Sequence, residues 1–359
     1  VKKVVKGSCK ERMESVAGQI PGEHLLHGVV HCEALEQGTF AQLTALSSGI
    51  SRLVPTDAEV FRQAFQQEEI CYANSWLYML RSSRNDQGEL GYKFVGEETL
   101  MGIGYRNNTL YLVHPIGRGR FHETMNLCQR IGSSMKCLVI LKKIDQELYT
   151  YLHATGLFHT HASSLTLLEE EAFPEHILQL EKLYSPASAS HHQLQPLIRK
   201  VKRFAKSSMS LLTETDISDI ETCSGFQHLF GSNPEKYKSY KQMIQEISSQ
   251  GSDNDRYKVC IYRDKDETIH GLYIGELLEK GSMGLYCAVS SRAFPGITEW
   301  MDYDFFQQIF HEGIHSLYLG GSETEGVHAY IQKLLPMTPP YFMQPMQFLH
   351  DQYILHNMG

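Results

Sequence analysis

The sequence predicts a mixed α/β (α+β) protein of two similarly organised tandem units, each a mostly antiparallel sheet flanked by helices. Three observations lead there. The order of elements recurs along the chain, hydrophobic periodicity alternates between strand-like and helix-like within each recurrence, and the composition suffices for two cores. At 359 residues and 42% hydrophobic content, the chain is long enough for about two domains. Its charged share of 21% is that of a globular protein and excludes wholesale disorder.

Residues 1–65 carry short apolar runs among Gly, Ser and Gln, and periodicity alone does not choose between helix and strand there. Thr56 and Asp57 then open a helical run, DAEVFRQAFQQEE. A first unit is expected over 66–185. In it GYKFV, TLMGIGY and TLYLVHP read as strands separated by GEE and RNN turns. The loop IGRGR follows, then the helical run FHETMNLCQRI, Gly132 as its expected stop, and a strand from Lys136 to Leu141. Roughly 170 residues later the order returns, with little identity between copies, so the duplication is architectural. YKVCIYRD, TIHGLYIGELL and GLYCAVS are three strands, SRAFPGITEW the loop, MDYDFFQQIFHE the helix, Gly313 the stop and HSLYL the last strand. Between the copies, LLEEEAFPEHILQLEKLY reads as a charged helix and SPASASHHQLQP as a linker, which places a second unit over 186–359.

Charge and cysteine content narrow the class. A net charge of −8 disfavours a global electrostatic grip on nucleic acid but allows a local basic surface. The eight cysteines form no CxxC pair, which points to reduced thiols rather than a disulfide framework or zinc knuckle. No run approaches the ~18 apolar residues of a membrane span, and the opening VKKVVKGSCKERMES has no apolar secretory core. A cytoplasmic protein without a transmembrane segment is the expectation.

Meander, loop, helix and strand in this order resemble the GNAT acyltransferase fold. Three stretches narrow the resemblance to the tandem GNAT-like catalytic domain of phosphatidylglycerol lysyltransferases. They are LYLVHPIGRGRFHETMNLCQRIGSSMKCLVILKKIDQELYTYL, the pair EEEAFPEHILQLEKLY and IRKVKRF, and WMDYDFFQQIFHEGIHSLYLGGSETEGVHAYIQKLLP. The resemblance implies an acyltransferase that moves an aminoacyl group from aminoacyl-tRNA to a lipid or soluble acceptor. It implies no metal or redox cofactor, and leaves a peripheral membrane contact open. An acyl-CoA donor, as in N-acetylation, is the alternative.

The candidate residues follow. GGSETEG places Gly320 and Gly321 at a strand end where backbone can approach a ligand, with Glu323 and Glu325 beside it as substrate-orienting carboxylates or bases and Tyr318 as an acid. The same glutamates would equally suit a helix N-terminus. In IRKVKRFAK, Arg199, Lys202, Arg203 and Lys206 share a helical face that could track phosphates or merely be solvated. Lys333 and Arg292 complete the substrate-binding set. GRGR could cradle a phosphate or form an ordinary turn, and the loop at Arg292 is too poor in glycine for a CoA cradle. HEGIH matches H-E-x-x-H, so His311 and His315 could ligate zinc in a metallohydrolase. Gly313 argues that the helix stops between them. The cluster His24, His27, His31 and Cys32 fits no standard zinc spacing, and Tyr72, Trp76 and Tyr78 read as core aromatics. The Met- and Tyr-rich stretch after Pro336 reads as packing on the body or as an apolar lip for a lipid. A non-catalytic binding protein remains the alternative from another class.

Overall fold

The computed structural model describes residues 41–84, 89–106, 109–135, 137–160, 176–181, 206–209, 234–249, 255–264, 266, 268–279, 281–291, 296–320 and 344–348. Thirteen strands among them form two sheets. The first contains β1 (Ile50–Arg52), β2 (Tyr92–Val95), β3 (Leu100–Arg106), β4 (Thr109–Ile116), β5 (Leu138–Ile144), β6 (Phe158–Thr160) and β13 (Gln344–Phe348), in the order β1-β2-β3-β4-β5-β13-β6. The second contains β7 (Ile177–Gln179), β8 (Lys206–Met209), β9 (Tyr257–Arg263), β10 (Ile269–Leu277), β11 (Ser282–Ser290) and β12 (Ser316–Tyr318), in the order β7-β12-β11-β10-β9-β8. Each sheet is antiparallel except at one matching place, β4 beside β5 and β11 beside β12.

Helices cover both faces of each sheet. They are α1 (Ala58–Phe65), α2 (Trp76–Ser82), α3 (Arg120–Ser134), α4 (Gln146–Ala154), α5 (Pro234–Ser249) and α6 (Ile297–His311). Successive strand residues point to opposite faces, so Leu112 joins the core under α3 and α4, while Val113 joins the one under α1 and α2. In the second sheet Tyr273 packs toward α6 and Ile274 toward α5.

α2 belongs to both halves. Its Trp76, Met79 and Leu80 pack on the first sheet, while Leu77 is buried in the core of the second. The helix starts where the Ser75 hydroxyl accepts the Tyr78 N–H at 3.1 Å, a serine N-cap. Glu276 of β10 then reaches across the boundary. Its carboxylate accepts from Ser75 Oγ at 2.6 Å, Leu77 N at 3.0 Å and Trp76 N at 3.2 Å. Burial pushes the Glu276 carboxyl up, and these donors, with Arg62 nearby, pull it back.

Several elements differ from the sequence reading. Gly132 does not stop α3. It lies buried on the face that carries Cys128 and Ile131, and the helix ends only where Met135 turns extended. Packing there outweighs the ~1 kcal/mol propensity cost of a helical glycine. The stretch expected to be a charged helix contains β7, because Leu178 is fully buried and the strand ladders onto β12. Residues 50–52, from the segment that periodicity left open, pair with β2. Sheet membership crosses the line at 185/186 in both directions: β7 joins the second sheet, and β13, from the Met- and Tyr-rich tail, is inserted between β5 and β6 of the first.

Candidate functional site

Both parallel pairs end early, and at the same relative place. β12 stays beside β11 only from Ser282↔Ser316 to Gly284↔Tyr318, whereas β11 continues to Ser290. Just past the last pair, Cys287 faces Ile274 and Leu285 faces Gly275, which leaves Tyr286 as the extra residue of a β-bulge. In the first sheet the last pair is Val113↔Lys142, and the bulge follows at His114 and Pro115. A bulge bends its strand and re-aims a side chain. Each sheet therefore splays into a wedge beside its bulged strand.

The first wedge is filled by the chain itself. His114, with a left-handed φ of 49°, turns its ring inward. Its Nδ1 lies 3.1 Å from the Lys143 carbonyl and its Nε2 2.7 Å from Asn74 Oδ1, which also accepts the Cys71 thiol. The GRGR loop at the mouth of this wedge has an internal anion: Gly117 N donates to Glu68 Oε1 at 2.7 Å. Arg120 pairs with Glu68, Asp145 and Glu147 at 3.7, 3.2 and 2.8 Å. A carboxylate thus holds the position that a phosphate would take.

The second wedge is bounded differently. Tyr318 closes the paired part of β12, and Gly320 follows at φ 70°, its carbonyl accepting from His176 N at 3.2 Å. The Tyr286 ring lies 4.6 Å from that of Tyr72, and its hydroxyl donates to the Tyr72 carbonyl at 2.9 Å. At the far end, Ser290 Oγ meets Thr298 Oγ1 at 2.6 Å, tying β11 to the first turn of α6 behind Gly296, whose φ is 85°. Beside it His270, the extra residue of a bulge on β10, bridges Ser291 Oγ at 2.9 Å and Asp264 Oδ2 at 2.8 Å. The hydrogen bond from His270, followed by the Thr268 N–H, holds the Asp264 carboxyl below its usual range. This Asp–His–Ser chain pins the β9–β10 turn to the end of β11.

Among the residues singled out from the sequence, Tyr318 and Gly320 lie together at the second wedge. Gly321, Glu323, Glu325, Lys333, Arg199, Lys202, Arg203 and Arg292 lie outside the described residues, as do His24, His27, His31 and Cys32. Lys206, expected on the helical basic face, instead opens β8, which ladders onto β9. The HEGIH string is broken as Gly313 suggested: α6 ends at His311, Gly313 takes φ 90°, and His315 pairs with Glu181 at 3.1 Å. The two imidazoles do not share a helical face. Sequence reasoning did not single out Tyr286. Trp76 is fully buried, and Tyr72 and Tyr78 pack, partly buried, against the core that contains Tyr286, as expected of core aromatics.

Solved structures share this architecture. A conserved protein of unknown function from Bacteroides thetaiotaomicron matches at 12% identity over 84% of this chain and 99% of its own, with a TM-score of 0.64. The C-terminal domain (DUF2156) of an assigned lysylphosphatidylglycerol synthetase from Agrobacterium fabrum matches at 11% identity over 85% and 96%, with a TM-score of 0.56. The fold is that of the lysylphosphatidylglycerol synthetase C-terminal domain. L-PGS from Bacillus licheniformis has it too, at 12% identity over 85% of this chain and 94% of its own, TM-score 0.54. No protein-family model and no curated protein matches the sequence. No helix among the described residues is long and apolar enough to cross a membrane.

Proposed function

We propose that the chain is a GNAT-fold acyltransferase whose second unit, within 186–359, moves an aminoacyl group from tRNA to an amine or hydroxyl acceptor. The observation that carries this reading is the contrast between the wedges. Among the described residues, the one at Tyr286 is bounded by tyrosines and glycine, whereas the one at His114 is filled by His, Asn, Cys and Glu side chains. The first unit, 66–185, then serves as scaffold. The fold shared with L-PGS and the synthetase domain supports an aminoacyl donor.

In this reaction the acceptor attacks the ester carbonyl of the donor, the new C–N or C–O bond forms, and the tRNA 3′-terminal hydroxyl leaves with a proton. Positioning, a base and charge stabilisation suffice for such chemistry. Glu323 or Glu325 takes the acceptor proton, Tyr318 supplies one to the leaving oxygen, and Gly320 and Gly321 let the donor approach backbone. Arg199, Lys202, Arg203, Arg292 and Lys333 hold donor phosphates.

The test follows label from a mixture of charged tRNAs incubated with the protein and a lipid extract. Label in the organic phase establishes a lipid acceptor, and label in a soluble molecule keeps the reaction and changes the acceptor. tRNA that stays charged, with coenzyme A thioesters consumed instead, overturns the donor.

A further inference from the structure

The face of the first sheet that carries α1 and α2 holds a row of cations. Arg106 at the end of β3 and Lys142 on β5 both stand over the ring of Tyr111, on the strand between them, at 5.0 and 4.8 Å from its centre. Tyr111 packs on the core under α1 and α2, which fixes the face. The next lysine joins the row. Successive strand residues ordinarily point to opposite faces, but Lys143 has a left-handed φ of 56°, and its Nζ lies 5.8 Å over the ring of Tyr78 on α2. Arg81 and Arg84 extend the row from the end of α2. Gly104 sits opposite Tyr111 in the ladder, and a Cβ there would come within 2.6 Å of the Ser82 carbonyl oxygen and 3.3 Å of that of Arg84. The missing side chain lets the helix end settle beside the tyrosine.

We infer that this row, from Arg81 and Arg84 through Arg106, Tyr111 and Lys142 to Lys143, is the surface on which the first unit holds the sugar-phosphate backbone of RNA. The inference deepens the reading above and rests on it for the identity of that RNA, the body of the donor tRNA. Like charges are gathered here at a cost. Burial, and then the neighbouring Arg81, pull the Arg84 guanidinium below its usual range, although Arg84 has Glu246 of α5 as a partner. Arg106 and Lys142 repel each other across a single ring. In a chain of net charge −8 the result is a local positive field. The cations are spread over three neighbouring strands, about 10 Å at the usual strand spacing, rather than converging on one point. That layout suits a string of phosphates better than one small anion. Arg81 is exposed, and Arg84, Arg106, Tyr111 and Lys142 are half-buried, so a ligand can reach them. The large apolar side chains exposed among the described residues, Val54, Val60 and Val95, are not in the row, which favours a nucleic-acid backbone over a lipid surface. The row also leads toward the unit assigned the chemistry: Tyr78 meets Tyr72 edge-on at 5.8 Å, and Tyr72 packs 4.6 Å from Tyr286 on β11.

The test measures binding of the full chain to deacylated bulk tRNA by fluorescence anisotropy over a salt series. Arg106→Gln with Lys142→Gln is expected to weaken binding at least ~10-fold at 0.1 M salt and to lower the slope of log K against log salt by roughly 1.5, the share of two phosphate contacts. Arg81→Gln, at an exposed position, is expected to lower the slope by about half as much. The control is Arg52→Gln, which removes an arginine standing 5.3 Å over Tyr92, a ring that packs on the core of the opposite face; it is expected to leave the slope unchanged. An unchanged slope in the double variant overturns the surface, as does an equal fall in the control or failure of the wild type to bind tRNA. Vesicles of phosphatidylglycerol and phosphatidylcholine form the second arm. Vesicle binding that the double variant loses while tRNA binding persists gives the row to a membrane and overturns its assignment to RNA. The tRNA label assay reports separately on the reaction. Transfer with an unchanged slope sinks the surface alone, and a lowered slope without transfer sinks the reaction alone.

Discussion

At His114 two acceptors, the Lys143 carbonyl and Asn74 Oδ1, face one imidazole, an arrangement that by itself would favour a second proton. Burial outweighs them and pulls the ring down to about 4. An unfolded histidine titrates near ~6.5, so below that pH the unfolded chain takes up a proton that the fold refuses. Stability is thus full above ~6.5, falls as the pH drops, and levels off below about 4 after a loss on the order of 3 kcal/mol. Urea unfolding at pH 7, 5.5 and 4 checks this, with His114→Gln expected to flatten the slope; a slope equal in both proteins would reject the assignment. At this scale the sequence was only partly legible. A strand ending in Gly-Gly pointed to Tyr318 and Gly320, but bulges at Tyr286 and His114 leave no mark on the alternation of apolar residues. Each arises from a register shift between neighbouring strands, which single-strand patterns do not carry.

Among the elements, α2 is the one whose start depends on a residue two hundred positions away. Three donors at its N-terminus converge on Glu276. Glu276→Ala leaves those buried donors without their acceptor, a loss of about 3 kcal/mol or more. Amide exchange at Trp76 and Leu77 is expected to accelerate before any change in α3, and uniform acceleration would show that the carboxylate does not act locally. Elements built from local sequence were read well: the meanders, α1, α6 and its Gly313 stop. Those that depend on distant pairing were not. Ile177–Gln179 becomes a strand because β12 lies beside it, and Gln344–Phe348 because β5 and β6 leave a gap.

At the scale of the molecule, α2 contributes side chains to a core in each half, so neither half keeps its packing when the helix leaves. A single cooperative unfolding transition is expected by calorimetry and circular dichroism. Leu77→Ala, buried on the second-sheet side, is expected to cost ~2–5 kcal/mol and to lower that one transition. Two separated transitions in the wild type would contradict the shared helix. The placement of β13 also sets an order of events during synthesis. Gln344 pairs with Ile144, so the join between β5 and the edge strand β6 waits for residues made long after both. Until then β5 and β6 offer bare edges to any passing strand, the state in which nascent chains recruit chaperones or aggregate. Ribosome-stalled chains ending before residue 344 are expected to be cut by protease near Leu138–Ile144 and to become resistant only once the final strand has emerged. Of the two sheets, the one whose strands are mostly translated first is then the one completed last.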